Sequence, residues 1–169
     1  MQYHPVVEKI KTLLDENHIQ FDVFEHEPVR TSEEASKVRT GYVISQGAKA
    51  MIVKVRESGK GKRFVMFVVP GNNKFDPVKV KNNLGLSDIR FATETEVSEI
   101  TGGVLPGGIP PFGNLFGLEV FMDKGVLENE RIIFNAGDKS YSIGMLSADY
   151  LKLVNPKVED MAVPKTLDL

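Results

Sequence analysis

Residues 49–69, KAMIVKVRESGKGKRFVMFVV, contain two apolar segments joined by a short loop with two glycines. In Lys49 to Arg56 apolar side chains alternate with others, which is typical of a strand that covers one face. Phe64 to Val69 is apolar at every position, which indicates a strand buried on both faces. Since the loop from Glu57 to Lys62 has the composition of a hairpin, we predict one central sheet that contains both strands.

Short helices are predicted around this sheet because helix-start signals recur along the chain. These signals are two capping boxes, an aspartate-proline start and a serine cap: Thr31 with Glu34, Thr93 with Glu96, Asp76-Pro77 and Ser147. Further strands are predicted over residues 20–25, 89–92, 118–123, 131–135 and 141–146. This order favours an α+β (mixed α/β) fold with a central mixed, mostly antiparallel sheet and surrounding short helices.

The chain has the length of a single domain, at 169 residues. We predict that residues 1–154 form this domain and that residues 155–169, which contain two prolines, form a loosely ordered tail.

There is no cysteine, which excludes disulfides, a thiol nucleophile and a thiolate metal site. No apolar run approaches the roughly 20 residues of a membrane span, so a cytoplasmic protein with no membrane partner is expected.

Charge is distributed unevenly along the chain. The net charge of −2 and the pI of about 6.0 argue against a general nucleic-acid binder. Residues 49–81, however, contain nine basic and two acidic side chains, a local charge of +7 that leaves −9 for the remainder. This stretch can form a basic face that holds a few phosphates, or it can be a set of solvated surfaces.

The segment from Thr101 to Gly113, TGGVLPGGIPPFG, contains five glycines and three prolines. Such a composition is incompatible with a helix interior or a central strand. A glycine-rich loop held by its own apolar residues can bring backbone N–H groups close to an anion or a developing oxyanion. The alternative is a structural loop ordered by its prolines.

Lys49 has the most unusual position among the charged residues. It alternates in step with the apolar residues of its strand and so lies on the same face as they do. If the strand begins at Lys49, its ammonium therefore lies towards the covered side. That placement costs desolvation unless the lysine has a partner or a function. The alternative is a strand that begins at Ala50, with Lys49 in the preceding loop.

The three histidines have no metal-ligand spacing, and no metal or cofactor is expected.

Four motifs in the right order resemble the YbaK family of aminoacyl-tRNA editing domains. They are Thr31-Ser32-Glu33-Glu34-Ala35, Lys49 at the start of an apolar strand, Arg90-Phe91-Ala92, and Thr101-Gly102 followed by Gly107 to Gly113. The match runs from about Val23 to Leu153. Family members hydrolyse the ester of mischarged tRNA, either as free-standing proteins or as an insertion in bacterial prolyl-tRNA synthetase.

The resemblance implies that Lys49 is the functional, catalytic lysine, which either binds the terminal phosphate or stabilises developing charge. It also implies a substrate-binding set around the tRNA 3′ end: Thr31, Gly107, Gly108, Ile109, Pro110 and Pro111. From the basic stretch we predict tRNA contacts at Lys60, Lys62 and Arg63. The implied partners are a mischarged aminoacyl-tRNA and an aminoacyl-tRNA synthetase.

The chain departs from the family pattern at Ala50, where threonine or asparagine often follows the lysine, and the region from Asn135 to Tyr141 lacks a histidine. Alanine, cysteine and serine therefore all remain as edited amino acids. Two functional hypotheses follow. The chain is a trans-acting deacylase, or it is a non-catalytic module of the same fold that binds tRNA or a synthetase. An intact loop together with Lys49 favours the deacylase.

Overall fold

The computed structural model describes residues 2–29 and 31–165, and only the backbone of Ser32. The helices are α1 (Pro5–Glu16), α2 (Ser32–Val38), α3 (Pro77–Leu84), α4 (Glu94–Thr101) and α5 (Ser147–Val154). The strands are β1 (Phe21–Glu25), β2 (Ala48–Glu57), β3 (Gly61–Pro70), β4 (Asn73–Phe75), β5 (Leu86–Phe91), β6 (Val120–Asp123), β7 (Arg131–Asp138), β8 (Tyr141–Leu146), β9 (Lys157–Glu159) and β10 (Ala162–Pro164).

The two predicted strands pair at the centre of a five-stranded sheet with the order β5-β2-β3-β6-β9. β2 pairs antiparallel with β3 and β5, whereas β6 pairs parallel with β3 and β9. A second, antiparallel sheet has the order β1-β8-β7, and β10 pairs antiparallel with β4. The predicted α+β class and the mixed central sheet are confirmed: two of its four pairings are antiparallel, as are all pairings in the other two sheets.

The central sheet separates two hydrophobic cores. On one face Ala48, Ala50 and Ile52 pack in a core with residues of α1, β7 and β8. On the other face Val53 and Val55 pack in a smaller core with residues of β3 and α3. Both β2 and β3 are therefore covered on both faces, whereas the alternation in β2 predicted only one covered face. The difference arises because the second sheet covers the face that the sequence left open.

Three of the four predicted helix starts follow their capping signals. The hydroxyl of Thr93 accepts a hydrogen bond from the amide of Glu96, and the Glu96 carboxylate accepts one from the amide of Thr93, which completes the capping box. The Thr31 hydroxyl likewise accepts a hydrogen bond from the amide of Glu34 at 3.0 Å. Asp76 caps α3 as predicted. These signals were correct because capping is a local property of four consecutive residues.

Two local predictions were wrong, and one strand was not predicted. Ser147 does not cap α5: it is the first helical residue, and its hydroxyl donates hydrogen bonds to the carbonyl groups of Asn129 and Glu130. The strand that was not predicted is β4. Residues 155–165, part of the tail predicted to be loosely ordered, contain β9 and β10, and residues 166–169 of that tail lie outside the described residues. Each strand of that segment pairs with a distant strand, which its own sequence does not reveal.

No helix among the described residues has the length and apolarity needed to cross a bilayer.

Candidate active site

A cleft of about 240 Å³ lies where α2, the start of β2, the glycine-proline loop and β7 meet. Four of the predicted site residues line it, namely Thr31, Lys49, Gly107 and Ile109. The fold brings these residues together from three separate parts of the chain. We call this space the α2–β2 cleft.

Lys49 lies within β2, opposite Val69 of β3, so the strand begins before the lysine. Its side chain lies on the same face of β2 as those of Val53 and Val55. The smaller core on that face does not extend as far as Lys49, so the lysine is exposed at the mouth of the cleft. Partial desolvation lowers the pKa of its ammonium, and the positive charge of Lys165 lowers it further, while Glu33 acts in the opposite direction.

Lys165 is a second cation at the mouth of the cleft. Its ammonium donates a hydrogen bond to the carbonyl of Gly71 at 2.9 Å and lies 3.8 Å from the Glu33 carboxylate. With Lys49 it provides two positive charges against one carboxylate. This excess suits a phosphate or another anion at the mouth. Sequence reasoning missed Lys165 because it lies in the segment that was predicted to be loosely ordered.

The first part of the glycine-proline loop lines the cleft. The carbonyl of Gly107 accepts a hydrogen bond from the side-chain amide of Asn135 at 2.8 Å, which ties the loop to β7. Among the described residues, the N–H of Gly107 has no hydrogen-bond acceptor. An unpaired N–H beside a cleft can donate to a substrate oxygen, as the sequence predicted for this loop.

The second part of the loop packs into the larger core instead. The carbonyl of Pro111 accepts a hydrogen bond from the hydroxyl of the buried Tyr150. Phe112 is fully buried against the rings of Phe134 and Tyr150. The structure thus places Gly108, Pro110 and Pro111 behind the cleft rather than on its lining. The second half of the loop is therefore structural, whereas the first half lines the cleft.

Gly108→Val is expected to destabilise the protein. A Cβ atom at position 108 would lie 3.4 Å from backbone atoms of Gly137 and Asp138, and the branches of valine would come closer still. Overpacking of this kind costs about 1–3 kcal/mol.

The matched control is Gly107→Ala, whose Cβ would meet the flexible end of the Lys139 side chain, which can move aside. Thermal melting of both variants beside the parent measures the difference. A Gly108→Val protein that melts with the parent would contradict the packing of the loop against β7.

Arg39 is a cleft residue that sequence reasoning missed. Its side chain is only 7% exposed, and it donates hydrogen bonds from Nε to the Ser142 hydroxyl at 3.0 Å and from Nη2 to Asn135 Oδ1 at 2.8 Å. Burial lowers the pKa of its guanidinium to about 10. An arginine in the polar stretch after α2 resembles a solvated surface residue, so no sequence signal identified it.

The predicted tRNA contacts lie elsewhere. Lys60, Lys62 and Arg63 are at the hairpin end of β2 and β3, about 20–26 Å from Lys49 along the strand if each residue rises about 3.3 Å. Arg63 forms ion pairs with Glu57 at 2.7 Å and Glu119 at 3.5 Å, and Lys60 lies 3.4 Å from Glu57. The fold does not bring these residues to the cleft.

No group of three or more His, Asp or Glu side chains that could hold a metal ion occurs in the part of the chain that the structure describes.

Comparisons with known proteins agree on one family. Residues 26–153 match the family described as the aminoacyl-tRNA editing domain. The chain is 32% identical over 152 residues to the multifunctional Ser/Thr-tRNA deacylase ProXp-y of Escherichia coli, with 89% of each chain covered. It is 25% identical over 148 residues to the prolyl-tRNA editing protein ProX of Acetoanaerobium sticklandii, covering 83% of this chain and 85% of that protein.

A similar solved structure is that of a candidate trans-editing enzyme for prolyl-tRNA synthetase. It superposes with a TM-score of 0.78 at 25% identity, covering 98% of this chain and all of the other.

Proposed function

The chain belongs to the family of aminoacyl-tRNA editing domains, and on that premise we propose that it is a trans-editing hydrolase that cleaves the ester of mischarged aminoacyl-tRNA. The observation that carries the proposal is the α2–β2 cleft, which combines two cations at its mouth with a glycine-rich backbone on its wall. Serine, alanine and cysteine are the candidate amino acids. Serine comes first because the relative from Escherichia coli is named for serine and threonine.

In the proposed reaction a water molecule attacks the carbonyl carbon of the aminoacyl ester. The bond between that carbon and the ribose oxygen breaks, which releases the free amino acid and leaves a hydroxyl on the terminal ribose. The ester is already activated, so positioning and stabilisation of the oxyanion can supply much of the catalysis. The unpaired N–H of Gly107 is the proposed oxyanion donor.

Lys49 and Lys165 have a proposed role at the mouth of the cleft, where they hold the terminal phosphate of the tRNA. Two ammonium groups opposed by a single carboxylate support this assignment. Thr31 also lines the cleft, and we propose that it contacts the aminoacyl group or the terminal ribose. Gly108, Ile109, Pro110 and Pro111 then fix the shape of the wall.

The proposal is tested with a deacylation panel. The purified protein is incubated with tRNA-Pro charged with alanine or cysteine and with other tRNAs charged with serine or alanine. Release of the amino acid above the spontaneous rate supports the deacylase. Tight binding of charged tRNA without release would support the non-catalytic module instead. We place the activity in the cytoplasm, where tRNA is charged, and an aminoacyl-tRNA synthetase is a proposed partner.

Neutralising Lys60, Lys62 and Arg63 together is expected to weaken tRNA binding modestly and to flatten its salt dependence. Each phosphate contact contributes about 0.7–0.9 to the slope of log K against log salt concentration. The effect is expected to be small because Lys60 and Arg63 already pair with Glu57. The measurement is the affinity at several salt concentrations, and an unchanged slope would place the tRNA contact elsewhere.

A further inference from the structure

Arg39 is a buried cation with no carboxylate to balance it. In the described part of the chain no Asp or Glu oxygen lies within ion-pair distance of its guanidinium, although 93% of the residue's surface is covered. Buried charges are normally paired, because removing a charge from water is costly. An arginine retained in this state at a cleft is therefore expected to meet a polar group of the ligand.

Two nitrogens of the guanidinium donate hydrogen bonds within the protein, and the third is available to a ligand. Nε and Nη2 donate to Ser142 and Asn135, while Nη1 has no acceptor among the described residues. Because Nη1 has no partner among these residues and yet is not among the fully buried atoms, it keeps some exposed surface, which solvent or a ligand can reach. His26 supports the arrangement from behind through a 2.8 Å hydrogen bond between Nε2 and the Ser142 hydroxyl.

Lys49 and Arg39 lie at different depths in the cleft, so they meet different parts of the substrate. Lys49 is exposed at the mouth, whereas Arg39 is almost completely covered. A tRNA is far larger than a cleft of about 240 Å³, so its phosphates stay at the mouth and only the terminal aminoacyl group can enter. The group that reaches Arg39 is then the side chain of the edited amino acid.

The contacts around Arg39 leave Nη1 as the donor that a ligand can use. Asn135 lines the cleft, and its Oδ1 already accepts hydrogen bonds from Arg39 Nη2 and from the hydroxyl of Ser142, which is fully buried. The hydroxyl oxygen of a substrate side chain can accept a hydrogen bond from Nη1. A methyl group would leave the guanidinium nitrogen unsatisfied.

We infer that Arg39 is a specificity-determining residue that donates a hydrogen bond to the side-chain hydroxyl of the edited amino acid, so that the cleft selects serine and threonine esters over apolar isosteres. Ser142 and Asn135 are positioning residues that aim the guanidinium. This inference rests on the proposed function, since it concerns the same cleft and the same ester.

The test compares isosteric substrates on one tRNA, charged either with serine or with 2-aminobutyrate, in which a methyl group replaces the hydroxyl. The parent protein is expected to deacylate the seryl ester faster by about 10²-fold or more, because a site that hydrogen-bonds a hydroxyl strongly rejects the analogue without one. In Arg39→Met this ratio is expected to fall at least about tenfold, through loss of activity on the seryl ester. Threonine against valine provides a second isosteric pair.

Two further variants separate a specificity role from a structural one. Ser142→Ala removes one acceptor of Arg39, and the ratio is expected to fall in the same direction but by less. Lys49→Ala is expected to lower both rates together and to leave the ratio unchanged. Because each ratio is measured on one preparation, partial unfolding of a variant affects both substrates equally, and melting curves report the folded fraction.

Each outcome has a defined meaning. A parent ratio near one, or an unchanged ratio in Arg39→Met with hydrolysis retained, overturns this inference and leaves the proposed function standing. A protein that hydrolyses none of the esters overturns the proposed function and this inference together.

Discussion

Lys49→Ala is expected to lower kcat/KM for ester hydrolysis by about 10²–10³-fold, the typical loss when one charge-stabilising group is removed from an active site. The ammonium lies at the mouth of the α2–β2 cleft beside Lys165, where the proposed reaction needs positive charge. Thermal stability is expected to change little, because the side chain is exposed and no salt bridge is described for it. Single-turnover deacylation and a melting curve measure the two quantities.

Lys54→Ala is the matched control, since Lys54 lies on the same strand but outside the cleft, with its ammonium 5.3 Å from the centre of the Phe64 ring. Its deacylation rate is expected to equal that of the parent. Equal losses in the two variants would indicate a general charge effect, and a near-normal rate in Lys49→Ala would refute its functional role.

The dependence of activity on pH gives a second measure of Lys49. Desolvation and Lys165 lower the pKa of its ammonium, so the charge is lost at a lower pH than for an ordinary lysine. After subtraction of spontaneous ester hydrolysis, kcat/KM of the parent is expected to fall as pH rises through this lowered pKa. The same fall should be absent from Lys49→Ala.

Phe112→Ala is expected to lower the free energy of unfolding by about 3–5 kcal/mol, the usual cost of truncating a buried phenylalanine. The ring is fully buried, with centroids 5.3 Å from Phe134 and 5.5 Å from Tyr150. It anchors the end of the glycine-proline loop, so its loss should also disturb the cleft wall at Gly107. Urea denaturation gives the free energy, and deacylation at a temperature where the variant is folded gives the effect on activity.

Leu105→Ala provides the control within the same loop, because Leu105 is 54% exposed. Its free energy of unfolding is expected to stay close to that of the parent. If Phe112→Ala lowered the free energy of unfolding as little as Leu105→Ala, the loop would be independent of the core. The assignment of its second half to a structural role would then be wrong.

Much of the fold was predictable because the deciding signals are local. The apolar run in β3, the capping box of Thr93 and Glu96, and the aspartate-proline start of α3 each depend on a few consecutive residues. Ser147 shows the limit of this reasoning. Its hydroxyl bonds to carbonyl groups nearly twenty residues away, and that competing contact decided its role.

The sequence by itself determined the longer sheet strands, three of the helix starts and the family resemblance, and it named Lys49 and Gly107 as candidate site residues. Tertiary structure alone decided which residues complete the cleft. Lys165 reaches it because β10 pairs with β4, and Arg39 is buried because the second sheet brings Ser142 and Asn135 against it. The physical reason is that burial and charge pairing depend on contacts between residues about one hundred positions apart, and neither composition nor periodicity carries that information.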